Sequence, residues 1–245
     1  MSQAKKVFTR MCLNNWGGID HKVLEFHEYV NLFSGKSGSG KSTVMDAIQV
    51  ILYGSFSPSF LNKAADDAKN RRSVLSYLRG EQKDGSANRK DCDFCSVIAL
   101  EIEDTGTHMI TCIGIAFEVR KSDSEIKKFV YFSHSGKMPE SEYLTEQGVC
   151  YSNQEIKKLV SARTKSDDNR GKGEVNRIYG SKEAYLGTLY DVILGYIDQN
   201  RFITMEKSAI ALKMTNGTGQ FIRDYMFPKN TSNTIATISE QLDSY

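Results

Sequence analysis

Residues 33–43 read F-S-G-K-S-G-S-G-K-S-T. Gly35, four intervening residues, Gly40, Lys41 and Ser42 match the G-x-x-x-x-G-K-[ST] phosphate-binding pattern without exception. Each residue type has a physical reason. Gly35, Gly38 and Gly40 let the backbone curl so that successive N–H groups face one anion, with Lys36, Ser37 and Ser39 between them. A helix opening near Lys41 turns its positive end toward the same charge. Lys41 supplies a point charge for the β- and γ-phosphates, Ser42 a hydroxyl ligand for Mg²⁺, and Thr43 a further phosphate contact. A merely flexible Gly/Ser loop would not explain Lys41 and Ser42 at the mouth of a helix.

The flanks carry the context that the pattern requires. Apolar residues at Phe8, Met11 and Leu13, then at Val23, Leu24 and Phe26, predict two strands about the turn-like N-N-W-G-G of residues 14–18. Y-V-N-L-F at 29–33 predicts a third strand that runs into the loop. Behind it, Val44, Ala47, Ile48, Ile51 and Leu52 recur at helical spacing and Gly54 stops the helix.

Further along, residues 55–90 are polar and basic, with a short helix expected around 73–78. Residues 94–133 alternate as strands and predict an antiparallel lobe inserted after the first helix. R-T-K-S-D-D-N-R-G-K-G-E-V-N at 163–176 reads as a mobile surface loop. Helical patterns follow at 181–194 and 218–226. Ile235, Ile238, Leu242 and Tyr245 then fall on a heptad seam that is still running at the last residue. The expected parts are a hairpin, loop strand and helix at 1–54, a basic loop and β lobe at 55–135, a helical region at 136–228, and the start of a coiled-coil arm at 229–245.

Composition narrows the class. The 245 residues are 40% hydrophobic and 25% charged with a net charge of +2, so any nucleic-acid surface has to be local. No apolar run approaches the ~20 residues that span a bilayer, and the basic start lacks the apolar core of a secretory signal. Five scattered cysteines fit a reducing cytoplasm. Cys92 and Cys95 form a lone C-x-x-C whose nearest extra donors are His108 and Cys112; buried or edge thiols are the expectation over zinc.

A nucleotide hydrolase also needs an acid at the end of an apolar strand to hold Mg²⁺. Asp198, closing V-I-L-G-Y-I-D, is the candidate inside this chain, with Gln199 a weak further metal-shell residue. Gly195 interrupts the run, so the acid is expected elsewhere. A self-contained kinase or NTPase using Asp198, and a module that binds nucleotide without turnover, stay open as alternatives.

The stretch M-C-L-N-N-W-G-G through F-S-G-K-S-G-S-G-K-S-T-V-M-D-A-I resembles the N-terminal head segment of SMC- and SbcC-type ATPases. R-R-S-V-L-S-Y-L-R-G, the strand pair from Ser96 to Val119, and L-G-Y-I-D-Q-N-R-F-I-T-M-E-K resemble the MukB-like branch, in particular the JetC-type subunits of Wadjet plasmid-defence complexes. The resemblance implies an α/β, ABC-type head split in sequence. This chain would be its N-terminal half, with the signature motif and Mg²⁺ acid beyond residue 245. It further implies ATP and Mg²⁺ as ligands, a homodimer of heads, kleisin and KITE-type subunits, double-stranded DNA, no membrane, and a cytoplasmic, nucleoid-associated location. By the same resemblance Asn15 and Trp16 approach the nucleotide, and Arg71, Arg72 and Arg79 are candidate DNA or nucleotide contacts.

Overall fold

A computed structural model describes residues 4–34, 40–57, 73–82, 84–168 and 175–210. Residues 1–197 and 198–245 form two compact units. In the first, six strands make one antiparallel sheet in the order β2-β1-β3-β4-β5-β6. The strands are β1 (Lys6–Trp16), β2 (Ile19–Glu25), β3 (Phe94–Asp104), β4 (Ile110–Val119), β5 (Lys128–Ser135) and β6 (Arg177–Tyr179).

The strands expected as a separate lobe are therefore continuous with the N-terminal hairpin. β1 is long enough to pair along both edges, with β2 from Arg10↔Glu25 to Trp16↔Ile19 and with β3 from Lys6↔Asp104 to Asn14↔Val97. β3 departs from the expected alternation: Val97 to Leu100 are buried on both faces of the sheet, which a continuous apolar run suits.

Strand parity sorts the two faces. Cys12, Val97, Ala99, Cys112, Ala116 and Phe132 pack beneath helix α3 (Asn153–Asp168) with its Ile156 and Val160. Leu13, Ile98, Ile115 and Tyr131 lie in register on the other face, which carries helix α1 (Lys41–Tyr53). Fully burying one such aliphatic side chain is worth about 1.5–3 kcal/mol of transfer free energy. The helix α2 (Val74–Arg79) abuts β1.

Two expectations fail locally. Residues 29–33 form no strand: Tyr29, Val30 and Leu32 are 78%, 76% and 88% exposed. Asn31 exchanges two hydrogen bonds with the His27 backbone and holds a turn. No neighbouring strand among the described residues takes their backbone groups, and an extended segment without a partner gains nothing from alternation. Conversely, residues 163–168 of the expected mobile loop are the last turns of α3. There the buried Asp167 accepts from Asn176 Nδ2 at 2.7 Å and ties the helix to β6. The expected helix at 218–226 and the heptad seam at 235–245 lie outside the described residues.

The zinc set does not come together. Register places Cys95 opposite Glu118 and Cys112 opposite Glu101, six residues apart along β3, which is about 20 Å. His108 is exposed at the far hairpin, paired with Glu103. Among the described residues, no group of three His, Cys, Asp or Glu side chains could hold a metal ion, and no helix is long and apolar enough to cross a membrane.

His134 sits fully buried on the α3 face, with Nε2 2.9 Å from Tyr143 Oη and Nδ1 3.0 Å from the Ser135 carbonyl. Burial holds its pKa down at about 4, whereas an unfolded histidine titrates near ~6.5. The unfolded chain thus takes up this proton first as the pH falls. Stability is complete above the unfolded value and declines from there to the folded one, by up to ~3 kcal/mol. Urea midpoints measured between pH 7 and pH 4.5 should fall for the unsubstituted chain, and distinctly less for His134→Gln.

Candidate phosphate-binding site

Helix α1 starts where the motif ends. Its N-cap is Gly40 at φ 87°, which has no side chain to cap the first turn, and that turn holds no acid. Such a start is costly for a free helix, because its first N–H groups lack partners. It suits an end whose partner is an external anion. Ser42 is exposed there, and Lys41 and Thr43 are half-buried. Residues 35–39 of the loop, and Arg71 and Arg72, lie outside the described residues.

Support for α1 comes from elsewhere. Asp46, buried on the inner side of the helix, accepts from Tyr77 Oη. At the C-terminal end, Gly54 adopts the left-handed conformation and returns its N–H to the Val50 carbonyl at 3.0 Å. Three tyrosine hydroxyls then donate to neighbouring carbonyls: Tyr185 to Ile51 at 2.8 Å, Tyr190 to Leu52 at 2.7 Å and Tyr131 to Gly54 at 2.6 Å. Burial raises the Tyr131 phenol to about 12, so it stays a donor at any physiological pH. The helix has no basic residue in its last turn, and these hydroxyls do that job.

The pair Tyr185 and Tyr190 depends on an irregular helix. α4 (Lys182–Gly187) runs on into one π-type turn, Thr188–Ile193, in which Leu194 N–H bonds Leu189 O five residues back at 2.8 Å. In a regular α-helix, residues five apart point about 140° away from each other. The wider turn swings Tyr190 round to the side of Tyr185, and consecutive carbonyls of α1 are both met.

The hairpin between β1 and β2 reaches the other end of the helix. Trp16 is fully buried, stacks on Tyr77 with centroids 5.0 Å apart, and donates its indole N–H to the Thr43 carbonyl at 2.9 Å. It therefore meets the site through the backbone of α1, with no ring face left for a base. Asn15 takes the left-handed turn position at φ 55° and spends its amide on the Cys95 carbonyl at 2.7 Å. Arg79 is also committed, to the carbonyls of Asp123 at 2.5 Å and Lys121 at 3.2 Å.

Asp198 does not end a strand. It caps helix α5 (Gln199–Ile210), its Oδ1 accepting from Arg201 N–H at 2.8 Å, and Gln199 is the first helical residue. The run before it curls through the π-type turn and then through Gly195 and Tyr196, both at positive φ. A short apolar run at 192–197 imitates a strand in sequence alone.

Sequence reasoning missed Asp46, Tyr77 and the three tyrosines. One signal was available: Asp46 falls among Val44, Ala47 and Val50 on an apolar helix, and a carboxylate there needs a buried donor. The tyrosines gave none, since aromatic residues in helices ordinarily read as core.

A family model described as the P-loop containing region of AAA domain matches residues 8–68. The SbcC component of the nuclease SbcCD from Staphylococcus haemolyticus (strain JCSC1435) is 34% identical over 74 residues, covering 29% of this chain and 6% of that protein. The chain thus spans a small fraction of the curated relative it matches. A structure solved for work on ATP-driven dimerization and DNA-stimulated activation of SMC ATPases is 14% identical, with a TM-score of 0.33, over 63% of this chain and 98% of that one. A structure of the recombination mediator RecF with ATP is 18% identical, with a TM-score of 0.34, over 88% of this chain and 47% of that one. Scores this low do not establish a shared fold. The family match makes residues 8–68 similar to the P-loop containing region of AAA domains.

Replacing Tyr185 or Tyr190 by Phe should strand one buried carbonyl of α1. Each change is expected to cost about 1–3 kcal/mol, read as a lowered denaturant midpoint with little change in m-value.

Proposed function

We propose that this chain is the ATP-binding, N-terminal half of an SMC-like ATPase head that works on DNA. The observation that carries the reading is the P-loop region matched at 8–68, whose glycine-rich motif runs into a helix that is exposed at Ser42 and has the side-chain-free Gly40 as its N-cap. Residues 35–43 cradle the phosphates of ATP, with Lys41 on the β- and γ-phosphates and Ser42 on Mg²⁺. Asn15 and Trp16 act one step back, by holding β1 and the first turn of α1.

The Mg²⁺ acid comes from a C-terminal half-head. The exposed apolar run at Tyr29, Val30 and Leu32 supports this, because it has strand chemistry and stands directly before the loop. We read it as a strand that pairs only when the other half is present. Two such heads close on ATP, and opening after hydrolysis drives DNA translocation or loop extrusion. Within this proposal fall the condensin-like, MukB-related branch, the Wadjet-type defence role, kleisin and KITE-type partners, and contacts of Arg71 and Arg72 with double-stranded DNA, whereas Arg79 is held by the Asp123 and Lys121 carbonyls. The location is cytoplasmic, at the nucleoid.

The test uses the 245-residue chain with and without a C-terminal half-head. A fluorescent ATP analogue should bind the chain alone and be lost in Lys41→Ala, whereas phosphate release should need both halves. Hydrolysis by the chain alone that disappears in Asp198→Asn would sink the half-head reading and favour a self-contained NTPase.

A further inference from the structure

Arg89 lies outside every motif in the sequence, yet it is a buried cation, 6% exposed. A guanidinium placed so deep needs acceptors along its fork, and it has three. Nε donates to the Leu78 carbonyl at 2.9 Å, Nη2 to the Gly17 carbonyl, and Nη1 to the Asp20 carboxylate at 2.9 Å. Leu78 belongs to α2, whereas Gly17 and Asp20 flank the tip of the β1–β2 hairpin. One side chain therefore clamps that tip to α2.

The same tip touches the phosphate end of α1. Gly17, at φ 58°, gives its N–H to the Tyr77 carbonyl at 2.8 Å. Its α-carbon faces Thr43 so closely that an added Cβ would stand 2.6 Å from Thr43 Cγ2. The Gly17 carbonyl is pinched from the far side, where a Cβ on Gly80 would lie 2.5 Å from its oxygen. Trp16, next in the chain, holds the Thr43 carbonyl. The backbone and the methyl of Thr43 thus both face the hairpin.

We infer that Arg89 is a positioning residue for nucleotide binding: it locks the hairpin tip, and the tip, through Trp16 and Gly17, sets Thr43 in the first turn of the phosphate-binding helix. The inference rests on the nucleotide-binding reading above. Its consequence is that the loop sequence alone does not set affinity. A side chain more than forty residues downstream, touching no phosphate, holds the helix end in its binding arrangement.

The test measures affinity of the 245-residue chain for a fluorescent ATP analogue in Arg89→Met, Arg89→Lys, Trp16→Phe and Thr43→Val, and in the double variants Arg89→Met/Thr43→Val and Trp16→Phe/Thr43→Val. Arg89→Met and Trp16→Phe should each weaken binding roughly five- to tenfold, the worth of about one hydrogen bond. Arg89→Lys should recover only part of the loss, since one ammonium does not span three acceptors. In the Thr43→Val background, neither Arg89→Met nor Trp16→Phe should cost anything further, because each acts through Thr43. Trp16 is the chain's single tryptophan, so its emission should shift when unlabelled ATP binds the unsubstituted chain.

Unchanged affinity in Arg89→Met, or losses that simply add to that of Thr43→Val, would overturn the positioning role. Should Arg89→Met fail to fold, Trp16→Phe decides alone: it keeps a buried aromatic ring, smaller than indole, and lacks the donor to Thr43, and wild-type affinity there refutes the inference. An unsubstituted chain that binds no nucleotide overturns the reading beneath it as well.

Discussion

Donors aimed at the carbonyls of α1 hold this structure together. A helix that binds anions must leave its N-terminal end open, and the N-cap of α1 is Gly40, which has no side chain to close it. That opening removes the usual capping contribution, about 1 kcal/mol. The compensation lies along the rest of the helix. Trp16 bonds the first turn, Tyr77 meets Asp46, and Tyr131, Tyr185 and Tyr190 close the last turn. Neutral hydroxyls at a buried C-terminus satisfy the carbonyls without the desolvation cost of a lysine or arginine.

Those donors come from four regions of the chain, and the sheet brings them together. Trp16 closes β1, Tyr131 lies on β5, and Tyr77 is on α2; Tyr185 and Tyr190 occupy the irregular helix after β6. Antiparallel pairing of β1 with β3 carries the hairpin tip to α1, while α4 follows directly after β6 at the other sheet edge. Functional geometry at the loop therefore depends on long-range strand pairing, and a change far from the motif reaches it through the hairpin or the tyrosines.

How much of this was legible follows from the range of the forces involved. The helix behind the glycine-rich motif and its stop at Gly54 are encoded in local steric and hydrogen-bonding preferences, and both could be read residue by residue. So could β1 to β5, whereas the three-residue β6 lies in a stretch expected to be helical. The segment at 29–33 misleads because alternation reports a tendency to pair, and no partner lies beside it among the described residues. Asp198 misleads for a related reason: a short run of apolar or small residues before an acid fits a strand end and a helix cap equally well.

By itself, the sequence determined the glycine-rich motif and the helix that follows it, because glycine freedom, helix polarity and side-chain chemistry act within a few residues. Tertiary structure alone decided which residues hold them. Asn15 and Trp16, candidates for the nucleotide, became supports for a turn and a helix; Arg89, in no motif, became a buried clamp; and two tyrosines came to share one target through a widened turn. Burial and hydrogen-bond partnership are properties of neighbours that only the folded chain assembles, and a pattern in one dimension does not contain them.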